Sequence, residues 1–172
     1  MVQTDLKALF QGLRDGSADA FAGIYEALKQ PVFTICWRIV QQKEMAEDLT
    51  HDVFLKLYTT PPASSVKNER AYIFQMARNL AIDALRKCHD TSLEDTIIPV
   101  DSGMDDLDQN LDLEAAMAHL PADEREILTL HLNADLTFLQ MSSILDISLA
   151  AVYRKYRKAI HTLQKLLNGG AQ

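Results

Sequence analysis

Five cations and no acid lie between Ser148 and Leu167, in a chain of 172 residues whose formal net charge is -7. Arg154, Lys155, Arg157, Lys158 and Lys165, concentrated in one segment of so acidic a chain, suit a polyanion, because each phosphate they neutralise releases counterions. No other cluster carries chemistry as well. Glu47 and His51 share a helical face next to Asp52, but further metal ligands are missing nearby. The acids from Asp101 to Asp112 lack the glycine that a calcium loop needs at its sixth position. Cys36 and Cys88 stand far apart with no Cys-x-x-Cys partner, so neither a disulfide framework nor a zinc site is expected. His89 beside Cys88 reads as the neighbour of an ordinary reduced thiol. A phosphate-cradling glycine loop and a nucleophile-base order are both absent from the sequence. The expectation is a binding protein that performs no catalysis and uses no metal, cofactor or small-molecule substrate.

The residues around the cations set how they are presented. Leu136 to Leu167 divides into a short helix, a turn at Asp146-Ile147-Ser148 and a long helix. Thr137 is placed to cap the short helix and Ser148 the long one, while Asp146 tolerates the left-handed backbone that such a turn requires. This is the helix-turn-helix pattern, whose second helix enters the major groove of DNA. Leu149, Val152, Tyr156, Ala159, Ile160 and Leu163 recur at three and four and are expected to pack inward. Ala150, Ala151, Arg154, Lys155 and Lys158 are expected on the outer face, with Arg157 nearby.

Upstream, the chain reads as helices throughout. Leu6, Leu9, Phe10 and Leu13 mark the first, with Gly16 placed to end it. Ser17 or Asp19 can cap the next, and Pro31 is expected to open another. Ala46 to Tyr58 follows, then a break at Pro61-Pro62, then a helix from Glu69 to Lys87 with Tyr72, Ile73, Met76, Leu80 and Leu85 as its apolar members. Further helices start near Leu111 and at Pro121-Ala122-Asp123. With 48% apolar and 24% charged residues a core is well supplied, and no apolar run approaches the roughly 18 residues of a membrane span. The amphipathic first helix lacks the compact apolar region of a secretion signal. Residues 1–87 carry a net +1, the stretch between Cys88 and Leu113 carries eight acids and no cation, and residues 114–172 are neutral. The expected architecture is all-α: domains at 1–87 and 113–172 joined by an acidic linker at 88–112.

Three further strings bear on function: LRDGSADAFAGIYE (Leu13 to Glu26), AEDLTHDVFLKLY (Ala46 to Tyr58) and RAYIFQMARNLAIDALRK (Arg70 to Lys87). Together with the C-terminal helix-turn-helix, in that order and spacing, they resemble the extracytoplasmic-function group of bacterial RNA polymerase sigma factors. Residues 5–87 resemble sigma region two and residues 113–167 sigma region four. The resemblance implies an alternative sigma factor of the cytoplasm, which binds core RNA polymerase at the β′ clamp helices and β flap and directs promoter recognition, DNA melting and initiation. It also implies an anti-sigma partner.

The same resemblance assigns residues. Asp48, Leu49, Asp52, Phe54 and Leu55 would meet the polymerase, the acids facing a basic partner helix and Leu49 and Phe54 serving as apolar anchors. Val53 and Leu57 are read as core. Ser64, Ser65, Lys67, Asn68, Tyr72, Arg78, Asn79, Arg86 and Lys87 would meet the minus-ten element, where flipped bases need aromatic surface and the strand needs a basic track. Asp83 is expected to pair with Arg86 or Lys87. Ser148, Ala150, Ala151, Tyr153, Arg154, Lys155, Arg157 and Lys158 would meet the minus-thirty-five element. Here the chain has Ala150-Ala151-Val152-Tyr153-Arg154-Lys155 where the family commonly has Gly-Thr-Val-Lys-Ser-Arg, so promoter preference does not transfer from relatives. The rival readings are a dimeric helix-turn-helix regulator, which binds duplex DNA alone, and a helical interaction protein indifferent to charge reversal at Arg154 and Lys158.

Overall fold

The computed structural model describes residues 5–91 and 111–169, and the chain divides into two compact units, residues 1–101 and 102–172. All regular structure among the described residues is helical. No helix there is long and apolar enough to cross a membrane. Most of the acidic stretch expected as a linker lies outside the described residues.

The first unit holds α1 (Leu6–Arg14), α2 (Ala18–Val40), α3 (Lys43–Thr59) and α4 (Glu69–Thr91). Asp5 caps α1, and Gly16 takes the positive φ of 83° that lets the chain turn back. Ser17, rather than Asp19, caps α2 by accepting from the Ala20 amide at 3.2 Å. Pro31 does not open a helix. It lies inside α2, which runs unbroken for 23 residues. An interior proline costs about 3 kcal/mol; here both halves of α2 bury one continuous face, with Leu28, Val32, Ile35 and Cys36 at most 2% exposed, and that burial outweighs the lost hydrogen bond.

Two other expectations shift. The buried residues of α4 are Ile73, Phe74, Ala77 and Ala81, whereas Tyr72, Met76 and Leu80 are only half-buried. The alanines let α4 approach its neighbours closely and leave the larger side chains at the margin. The helix also continues to Thr91, since nothing after Lys87 breaks it.

Cys36 is fully buried and Cys88 exposed. Burial pushes the Cys36 thiol up to about 12, against the smaller opposing effect of a hydrogen bond with Thr50. Ellman's reagent should therefore titrate one thiol in the native protein at pH 8 and two after denaturation. Rapid reaction of both in the native state would contradict the packing around Cys36.

The second unit holds α5 (Leu111–Ala118), α6 (Ala122–Leu132), α7 (Phe138–Leu145) and α8 (Leu149–Gly169). Thr137 and Gln140 form a capping box at the start of α7. Asp146 ends α7 in the left-handed region at φ 52°, and Ser148 accepts from the Ala151 amide at the start of α8. The turn geometry is the one its residues favour. Ala159 and Leu163 of α8 pack on Ala116, Met117, Leu120 and Leu128, and Val152 is also buried. Tyr156 joins His131 and Phe138 with ring centroids 5.1 and 5.0 Å away. Leu149 is not inward. It is 48% exposed, because the first side chain of a helix leans back past the helix start and finds no wall there.

Candidate polymerase and nucleic-acid interfaces

The outer face of α3 is built by exclusion. Ala46, Leu49, Val53, Phe54 and Leu57 are buried, so Glu44, Asp48, Asp52 and Leu55, spaced by four, four and three, line up outside. Neither Asp48 nor Asp52 has an ion-pair partner among the described residues. The two residues expected as apolar anchors are elsewhere. Leu49 is 8% exposed and Phe54 2%, and the Phe54 ring lies 4.8 Å from Tyr25 and 6.5 Å from Phe21. The apolar side chains that α3 offers outside are Leu55 and Tyr58, 52% and 55% exposed, with Tyr58 resting edge-on against Phe21 at 4.9 Å. Residues 46–58 by themselves have too many apolar positions to tell a core stripe from a docking stripe.

Residues 60–68 lead into α4. Ser64, Ser65 and Lys67 are exposed on a turn closed by the Val66 amide donating to Ala63. Asn68 is half-buried and acts locally, its side-chain oxygen accepting from the Ala71 amide at 2.8 Å and so capping α4. Arg14, which no local pattern singles out, reaches the Pro62 carbonyl at 3.4 Å and Glu69 at 3.8 Å. It ties both ends of this loop to α1.

Along α4, Tyr72, Asn79 and Arg86 recur every seven residues, which is close to two turns, so they share one face. Lys87 adjoins it, while Arg78 points well to one side and is half-buried. Asp83 lies on the shared face and pairs with Arg86 at 3.9 Å, as expected, so this track is less basic than its cations suggest.

On α8, Ser148, Ala150, Tyr153, Arg154, Arg157 and Lys158 are exposed, and Ala151 and Lys155 half-buried. Arg157 sits over the Tyr153 ring at 6.0 Å, which holds its guanidinium beside the start of the helix. The lysines are occupied. Lys155 pairs with Asp123, and Lys158 lies 2.7 Å from Glu124, both acids belonging to the first turn of α6. The Lys155 ammonium beside Asp123 holds its carboxyl below the usual carboxylate range, and Glu124 raises Lys158 above the usual lysine range. No local pattern signals these pairs, since the partners are more than thirty positions apart.

Two family models match separate stretches of the chain. The family model for sigma-70 region 2 matches residues 24–90, and that for sigma-70 region 4 matches residues 110–163. The chain belongs to the extracytoplasmic-function group of the sigma-70 family. It is 21% identical to the ECF RNA polymerase sigma factor SigW of Bacillus subtilis, over 94% of this chain and 96% of that one. With SigM of the same organism it shares 28% identity over 86% and 94% of the two chains. Its fold matches that of the sigma factor RpoE from Bartonella quintana, solved in complex with the anti-sigma factor NepR, with a TM-score of 0.66, 22% identity and coverage of 86% and 96%. This sigma factor directs RNA polymerase to promoters for initiation, and its family regulates the polymerase without being its catalyst.

Proposed function

We propose that this sigma factor docks on core RNA polymerase through the outer face of α3, with Asp48 and Asp52 meeting a basic helix of the β′ clamp and Leu55 and Tyr58 supplying the apolar contact. The observation that carries this reading is the row of acids without an ion-pair partner among the described residues, beside two exposed apolar side chains on one helix. Desolvated charge flanked by apolar anchors is the composition of a specific protein interface. Tyr72, Asn79, Arg86 and Lys87, with Ser64, Ser65 and Lys67 ahead of them, contact the opened minus-ten element. Ser148, Ala150, Ala151, Tyr153, Arg154 and Arg157 contact the minus-thirty-five duplex, with the β flap holding the second unit in place. Residues 1–87 and 113–172 act as the two binding domains and 88–112 as their tether. The protein works in the cytoplasm and catalyses no reaction. A protein partner that covers the polymerase-binding face restrains it, by analogy with the NepR-bound relative.

Size-exclusion chromatography with purified bacterial core polymerase, followed by run-off transcription on fragmented host DNA, tests this reading. Co-elution with discrete new transcripts is the expected result. A chain that ignores core enzyme yet shifts duplex DNA alone would instead be a conventional regulator. Arg154→Glu should leave co-elution unchanged while reducing those transcripts by about 10- to 100-fold, the effect of roughly 1–3 kcal/mol at a base-edge contact. Unchanged transcript levels would remove Arg154 from the DNA interface.

A further inference from the structure

Asp123 and Glu124 stand on the first turn of α6, across a cleft from Arg154, Lys155 and Lys158 of α8. The two acids differ. Glu124 is 3% exposed, and its second carboxylate oxygen is buried with no hydrogen-bond partner among the described residues. Its charge is therefore compensated chiefly by Lys158, and releasing that lysine would leave a buried anion unpaired. Asp123 has a half-exposed side chain and holds Lys155 against the flank of α8. In the first three turns of α8, the cations left without an acid among the described residues are Arg154, which faces outward, and Arg157, which is stacked on Tyr153.

We propose that Asp123 and Glu124 are specificity-setting positioning residues: they withhold Lys155 and Lys158 from DNA phosphates, so that duplex binding by α8 depends on Arg154, Arg157 and the base edges. This rests on the reading of α8 as the helix that meets the minus-thirty-five duplex. Phosphate contacts add affinity without sequence information, and base contacts specify. A reading helix whose lysines are held by its own unit binds random duplex weakly and loses little discrimination to it. The acids also explain how a helix this basic coexists with a second unit whose residues 114–172 have zero net charge.

The test uses polymerase holoenzyme reconstituted with the full chain. Its binding to a promoter fragment recovered by run-off transcription, and to a scrambled duplex of equal length, is measured across a salt series. Asp123→Asn should bind the scrambled duplex several-fold more tightly. Its log-log salt slope should steepen by about 0.9, the value for one additional phosphate neutralised, and its promoter-to-scrambled ratio should fall. Asp123→Glu should restore wild-type behaviour, which a purely structural role of the neutral side chain would not predict. Glu124→Gln should add a second increment of the same size if it folds; Asp123→Asn decides the matter if it does not. Unchanged slope and scrambled-duplex affinity in Asp123→Asn overturn the proposal. Absence of core-dependent promoter binding by the wild-type chain overturns the DNA-reading assignment itself, and this inference with it.

Discussion

Asp52→Arg is expected to abolish co-elution with core polymerase, and with it core-dependent transcription, while leaving the protein's melting curve within about 1 °C of wild type. Asp52 is exposed and makes no ion pair among the described residues, so its removal costs the fold nothing specific. At an interface with a basic helix the substitution places like charges together and strands both in a desolvated contact. Such juxtaposition costs several kcal/mol, and about 3 kcal/mol already weakens binding more than 100-fold. Asp48→Arg, one turn earlier, should behave alike, whereas reversal at Glu26 on α2, which pairs with Lys29, should not. Full retention of core binding by Asp52→Arg at near-physiological salt would remove α3 from the polymerase interface.

Arg125→Ala is expected to destabilise the second unit by about 3 kcal/mol, with little effect on the first. The Arg125 guanidinium donates to the carbonyls of Met117, Ala118 and Leu120 at 3.0, 2.8 and 2.9 Å, which end α5 and form the turn into α6. The Met117 carbonyl keeps the Leu120 amide, but the part-buried Leu120 carbonyl loses a donor that water cannot fully replace. An unsatisfied buried carbonyl costs roughly 1–3 kcal/mol, and the cation also opposes the negative end of the α5 dipole. For a unit of this size the melting temperature should fall by roughly 15 °C. Lysine should rescue little, because one ammonium cannot reproduce a planar fork reaching three acceptors. Calorimetry, or hydrogen exchange across α5 to α8, checks this, and an Arg125→Ala protein that melts like wild type would contradict it. Loss of minus-thirty-five-dependent transcription in this variant would reflect unfolding, which separates it from Arg154→Glu.

The sequence by itself determined the helical class, several helix caps and the turn of the helix-turn-helix. Ser17, Thr137, Asp146 and Ser148 act on backbone groups within a few positions of themselves, so their residue types suffice to place helix ends. The resemblance to sigma regions two and four was legible for the same reason, since its strings are local and ordered. Only the tertiary structure decided which members of each string face outward. Phe54 and Leu55 are neighbours of similar apolarity, yet one closes an aromatic cluster against α2 and the other faces solvent. Pro31 read as a boundary because local sterics oppose it mid-helix, and burial along both halves of α2 overrode them. The lysines of α8 read as DNA contacts because their charge is visible in the sequence, while the acids that hold them lie more than thirty positions earlier. Charge and periodicity are properties of a segment, but whether a side chain is buried, paired or free depends on which other segment folds against it.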